Sequence, residues 1–191
     1  MRIVRRMIVT VLLLVIALVV AVIVYIRPEK ELDMSYEQVD MKVKVWNMVK
    51  NRVPEIELTR EEMNHLAKKK MVEALTTTDT NVKVTGVEFS IHEEELEAKF
   101  NGKWGVIPFG GTLNFHMKSN GSDLILEHTS TRIRQIEIPS SRWSLAPITV
   151  SLNEYVPNLV GVDHINFKTD SIVLFFKIDW LAIPPFLLDL K

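Results

Sequence analysis

The sequence predicts an α+β protein in which an N-terminal transmembrane helix precedes a curved antiparallel β-sheet packed on one or two helices. Three observations carry this reading. Residues 7–26, MIVTVLLLVIALVVAVIVYI, contain no charge. Between residues 36 and 75 apolar side chains recur every three or four positions. From Val82 onward they recur every second position, with Asn-Gly turn signals between the runs.

At about 1.5 Å rise per residue, the first stretch spans roughly 30 Å, the hydrocarbon thickness of a bilayer. Only Thr10 and Tyr25 bring polar atoms into it, so a soluble core helix with a polar face does not fit. Arg2, Arg5 and Arg6 crowd its short N-terminal flank, against Arg27 and Lys30 just beyond the other end. Positive flanks stay in the cytoplasm, which places residues 1–6 inside and everything after Arg27 outside. The run is long for a signal-peptide core and ends in Val24-Tyr25-Ile26-Arg27-Pro28, without a small-x-small cleavage site. No cysteine follows it to carry a lipid. The expectation is an uncleaved signal anchor in the cell membrane, crossing once.

About 165 residues follow the anchor, enough for one domain with a modest core. With 23 basic and 24 acidic residues interspersed, the chain has no basic stripe for nucleic acid. The absence of cysteine is compatible with an extracytoplasmic domain that manages without disulfides. The organisation expected is a charged collar and amphipathic helix over 27–57, an α+β domain over 58–180 and an apolar tail over 181–191.

Ser35 and Gln38 form a capping-box pattern, and Tyr36, Val39, Val43, Trp46, Val49 and Val53 then mark one face of a helix over 36–51. That helix covers one end of the domain or meets the membrane or a partner. Thr59 and Glu62 form a second capping box, opening a helix over 60–74 with Met63, Leu66, Ala67, Met71, Ala74 and Leu75 as its stripe. Lys68–Lys70 are expected in solvent, and the threonine run 76–78 to stop the helix.

In the strands, Gly86 breaks the alternation of Val82 and Val84 from that of Val87, Phe89 and Ile91, as a bulge does. A turn at His92–Glu94 leads to the half-buried strand of Leu96, Ala98 and Phe100, and Asn101-Gly102 signals a tight turn. Residues 106–118 read as a strand interrupted by Pro108 and Gly110-Gly111. Asn120-Gly121, taken as a two-residue loop, sets Met117 opposite Leu124 and Phe115 opposite Leu126. The return strand is expected to reach Ile138, and Pro147 to open a short helix before Pro157. A last hairpin turns at Thr169-Asp170; its second strand is apolar on both faces through Ile172, Val173, Leu174, Phe175 and Phe176, as a central strand would be, or one whose second face meets lipid or ligand. The tail LAIPPFLLDLK packs under the domain or touches membrane or ligand.

No catalytic constellation emerges. His65, His92, His116, His128 and His164 have no metal-binding spacing, and His116 and His128 are expected on opposite faces of their hairpin. No G-x-S-x-G elbow and no phosphate loop is present. The reading is therefore a non-enzyme without cofactor or metal. Leu113, Phe115, Met117, Leu124, Leu126, Ile172, Leu174 and Phe176 are the likeliest inward residues, with Leu66 on the helix lying in the sheet's concavity. They are either simply the core or, if helix and sheet do not close, the lining of an apolar groove that suits an acyl chain.

The anchor, the helix start ELTREEMNHL, the hairpin VIPFGGTLNFHMKSNGSDLILEHTS, the stretch IRQIEIPSSRW and the hairpin HINFKTDSIVLFFKIDW follow in an order that resembles the YpmS-like family of membrane-anchored Gram-positive proteins, over about residues 58–180. That family is similar to tubular lipid-binding domains, in which a curved sheet wraps a helix around lipid. The resemblance implies a lipid or other hydrophobic ligand held beside the bilayer, and no catalytic residues. An anchored module that binds an envelope enzyme or transporter is the alternative expectation.

Overall fold

The computed structural model describes residues 2–76, 82–156 and 160–180. It has the expected α+β character, with nine strands in two antiparallel sheets among the described residues. Helix α1 (Arg2–Tyr25) is long and apolar enough over Ile3–Tyr25 to cross a membrane, and its side chains stay outside the core. Helix α2 (Met41–Asn51) and strand β1 (Glu55–Thr59) precede helix α3 (Arg60–Thr76). Strands β2 (Val82–His92), β3 (Glu95–Trp104), β4 (Ile107–Asn120), β5 (Asp123–Ile133) and β6 (Ile136–Pro139) form one meander. Strand β7 (Ile148–Ser151) pairs with the free end of β5, and a 3-10 turn (Leu152–Tyr155) follows it. Strands β8 (Val160–Phe167) and β9 (Ser171–Ile178) form the last hairpin, which takes up β1 in the order β1-β9-β8. Strand β9 is thus central in its sheet, and Ile172, Val173 and Leu174 are all buried.

Local chemistry explains the two soluble helices. The Thr59 amide donates to Glu62 Oε2 at 3.0 Å while the Glu62 amide donates to Thr59 Oγ1 at 3.3 Å, the reciprocal box expected. The box at Ser35 does not form. The Ser35 amide and hydroxyl both turn back to Asp33 Oδ1, at 3.0 and 2.7 Å, so α2 starts at Met41, where Asp40 accepts the Val43 amide at 3.1 Å. The later start rotates the buried face: Val45, Met48 and Val49 are buried, whereas Tyr36, Val43 and Val53 are exposed.

Five turn and strand expectations change. Asn101-Gly102 lies within β3, and the turn falls at Gly105-Val106. Strand β4 runs unbroken through Pro108, Gly110 and Gly111. The β4–β5 loop is Gly121-Ser122, with Asn120 opposite Asp123, so Met117 faces Leu126 and Phe115 faces His128. The return strand breaks at Arg134-Gln135, and Pro147 precedes a strand rather than a helix. The bulge at Gly86 is present, as a register shift between Val84 and Gly86. The stop signal at 77–78, Pro157 and the tail 181–191 lie outside the described residues.

One continuous core joins the inner faces of both sheets to α2. Helix α3 lies along β2, with Asn64 Oδ1 accepting the Phe89 amide at 2.8 Å, and packs Met63 and Leu66 half-buried against this core. Helix α2 covers it too, through the buried Val45, Met48 and Val49.

Candidate functional site

The nine residues proposed from sequence as a groove do come together, as packed interior. Phe115, Met117, Leu124, Ile172, Leu174 and Phe176 are buried, Met117 to 1% exposure, and Leu66, Leu113 and Leu126 pack half-buried against them. Fully burying such a side chain contributes about 1.5–3 kcal/mol, which is what a core requires.

Four of the five histidines are tied into local structure. His128 is buried, with its Nδ1 accepting the Leu145 amide at 3.4 Å and Nε2 2.9 Å from Thr131 Oγ1, between the ring edges of Phe115 and Trp143. An accepting Nδ1 leaves the proton on Nε2, to be given to Thr131. His116 points the other way, to Glu95 Oε1 at 3.2 Å, as expected from the sequence. His65 Nδ1 accepts the Glu37 amide at 3.0 Å, and His164 stacks on Phe175 at 4.4 Å. Among the described residues, no three His, Cys, Asp or Glu side chains converge as metal ligands.

The built-up site lies on the opposite face of the six-stranded sheet, where residues 26–33 cross it. The Ile26 carbonyl accepts the Gly110 amide at 2.9 Å, the Lys30 carbonyl accepts Asn101 Nδ2 at 2.7 Å, and the Asp33 carbonyl accepts the Val87 amide at 3.1 Å. Gly110, Asn101 and Gly86 are successive partners across β4, β3 and β2, so the collar runs perpendicular to the strands along one row. Both glycines are there for close approach. A Cβ at Gly86 would meet the Leu32 carbonyl oxygen at 2.0 Å, and one at Gly110 would meet Pro28 Cα at 3.0 Å. The expectation of a bulge at the first and a strand break at the second read the right residues for incomplete reasons.

The collar is also clamped at its end. Lys68, expected in solvent, is 9% exposed, and its ammonium donates to Asp33 Oδ1 at 3.1 Å. The Ser35 hydroxyl and then Lys68 hold the Asp33 carboxyl below its ordinary value.

Beside the collar, β2–β5 present a second row: Glu88 opposite Lys99, Lys99 opposite Thr112, and Thr112 opposite Arg132. Arg132 joins this row through a bulge. The pairing passes from Asn114–Ser130 to Phe115–His128, leaving Thr129 unpaired, so the parity of β5 flips. Leu124 and His128 therefore face the core while Arg132 faces out, and Thr131 takes the inner position. Arg134, in the β5–β6 turn, places its guanidinium 5.4 Å from the centre of the Tyr25 ring at the end of α1. The collar and this row enclose a recess of about 300 Å³. Its charged lining is Arg27, Lys30, Lys99, Arg132 and Arg134 against Glu29 and Glu88.

The end of the sheet that carries Arg134 also carries the β3–β4 turn, where Trp104 is 65% and Val106 94% exposed. None of these positions was singled out from sequence as a site. Arg27 and Lys30 were legible there only as flanking charges, and Gly110-Gly111 only as a weakened strand. Comparison with known proteins returns no match: no family model, no curated protein and no solved structure is significantly similar to this chain.

Proposed function

We propose that this chain is a single-pass, membrane-anchored extracytoplasmic protein that binds lipid beside the bilayer without bond chemistry. The carrying observation is the docking of residues 26–33 onto β4, β3 and β2, which supports a domain held against the end of its anchor rather than swinging on a tether. The exposed Trp104, at the sheet end that also meets Tyr25, is a residue type that settles at headgroup depth. The three N-terminal arginines favour a cytoplasmic N-terminus. Because the apolar residues expected to line a groove pack in or against the core, the lipid contact is assigned to the surface around the collar. The order of segments also supports kinship with the YpmS-like family and its lipid-binding relatives.

A protein-binding role is the second reading. One observation narrows it: the apolar face of α2 is spent inside the core, so a partner would meet a sheet edge, of which β8 is one. Native mass spectrometry of the full chain released from phosphatidylcholine–phosphatidylglycerol nanodiscs tests the lipid reading. At least one lipid retained per chain is expected; a bare polypeptide mass under conditions that keep the fold would sink it and favour the protein partner.

A further inference from the structure

We propose that the recess between the collar and the outer face of β3–β5 is a binding site for a phosphate group, supplied by the phosphodiester of an anionic lipid. The inference deepens the lipid-binding reading and rests on it for the source of the phosphate, though not for the anion site itself. At about 300 Å³ the recess sits at the small end of ligand pockets, a size for a headgroup rather than an acyl chain.

Its charge is unbalanced in the direction a phosphate needs. Five cations line it against two carboxylates. Glu88 takes Lys30 at 3.3 Å, and Glu97, just outside, takes Lys99 at 2.8 Å and Arg132 at 3.6 Å. Arg27 and Arg134 have no carboxylate partner among the described residues. Arg134 instead lies over the Tyr25 ring, an arrangement that orients a guanidinium while leaving its N–H groups to give away. A guanidinium pairs with phosphate through two parallel N–H donors, and the Thr112 hydroxyl, between Lys99 and Arg132 in the row, adds a neutral donor. The collar brings Arg27 and Lys30 to the recess within five residues of the end of the apolar helix Ile3–Tyr25, which is headgroup depth for a spanning helix. The charged collar and the glycines thus acquire one purpose: the glycines let the collar lie flat, and the flat collar forms one wall of the site.

The test follows backbone amide NMR shifts of Asn101, Gly110, Gly111 and Thr112 in the full chain. Three arms are compared: phosphatidylcholine nanodiscs, nanodiscs that also contain phosphatidylglycerol, and dodecyl maltoside micelles titrated with inorganic phosphate. Shifts are expected with phosphatidylglycerol and with phosphate. The double variant Arg27→Gln/Arg134→Gln should weaken phosphate binding roughly tenfold or more, as loss of charge-assisted hydrogen bonds does. The control Lys83→Gln/Lys103→Gln removes the same charge from a cross-strand pair outside the recess and should leave the shifts in place. Unmoved amides in every arm, or equal loss in both double variants, would overturn the site. A response to phosphate but not to phosphatidylglycerol would overturn the headgroup as source and leave a soluble phosphate ester. Lipid retained in the mass spectrum without movement of these amides overturns the recess and spares the lipid reading. Phosphate-responsive amides with no lipid retained do the reverse.

Discussion

The two faces of β3, β4 and β5 carry opposite solutions to the same problem of covering a sheet. Inside, Leu96, Ala98, Phe115, Met117 and Leu124 are sealed against the second sheet and α2. Outside, Lys99, Thr112 and Arg132 are covered only in part, by a collar that touches the sheet through its backbone at Gly86, Asn101 and Gly110. Apolar side chains close a gap because they pack to crystal density. Backbone laid over charged side chains leaves space, since the charges keep contact with water. For this reason the interior, though richest in apolar residues, offers a ligand less than the polar face does.

Phe115→Ala tests the sealed face and should produce the largest effect. Its side chain is 4% exposed, and such truncations cost about 3–5 kcal/mol, read as a lower denaturation midpoint of the chain in micelles. A cost under about 1 kcal/mol would mean that Phe115 lines open space, which restores the groove.

Gly86→Ala probes the seam between collar and sheet. The obstacle is the Leu32 backbone, which cannot rotate away, so about 1–3 kcal/mol is expected, with faster exchange of the Val87 amide as the collar lifts. Unchanged exchange at Val87 would show that the collar is not held there.

Acid should loosen the seam and the sheet junctions next. Asp33 is held low by Ser35 and Lys68, Glu57 by Ser171 and Lys168, and Asp163 by Lys177 and His164. Burial raises Glu62, but its bonds from Lys44 and the Thr59 amide more than offset this. All four folded values lie below the unfolded ones, so their contribution is complete above about pH 5 and is lost as pH falls through about 4 and below. The contribution of these four carboxylates should therefore be flat from pH 7 to about 5 and decline under it, and Glu57→Gln should shallow that decline. A midpoint that rises on acidification would contradict the pairing.

The smallest effect belongs to the recess itself. Arg27→Gln/Arg134→Gln should change stability by no more than about 0.5 kcal/mol, because neither residue is spent on an ion pair. A loss of several kcal/mol would show that these arginines hold the fold together, and would separate the two faces less cleanly.

Helix α3, the final hairpin, the central character of β9 and the bulge at Gly86 were legible because each rests on contacts between near neighbours or on plain alternation. The errors have equally local causes. Ser35 bonds Asp33 two residues back, which no capping pattern distinguishes from a helix start. Strand β1 was missed because five residues alternating exposed and buried carry little signal until β9 pairs with them. Asn101-Gly102 satisfies a turn rule, yet Asn101 is used to bind the collar and Gly102 faces the Phe109 ring.

By itself the sequence determined the apolar helix, the α+β class, the switch of period at Val82 and most of the core residues of the strands, since hydropathy and periodicity are properties of the chain alone. Only the tertiary structure decided what those residues surround. The unpaired Thr129 turns Arg132 outward, and the crossing of residues 26–33 over two glycines brings Arg27 to it. The first is set by how β4 pairs with β5, and the second by contacts such as that of Ile26 with Gly110 between segments far apart in the chain, where no local pattern records which side of a sheet another piece of chain will cross.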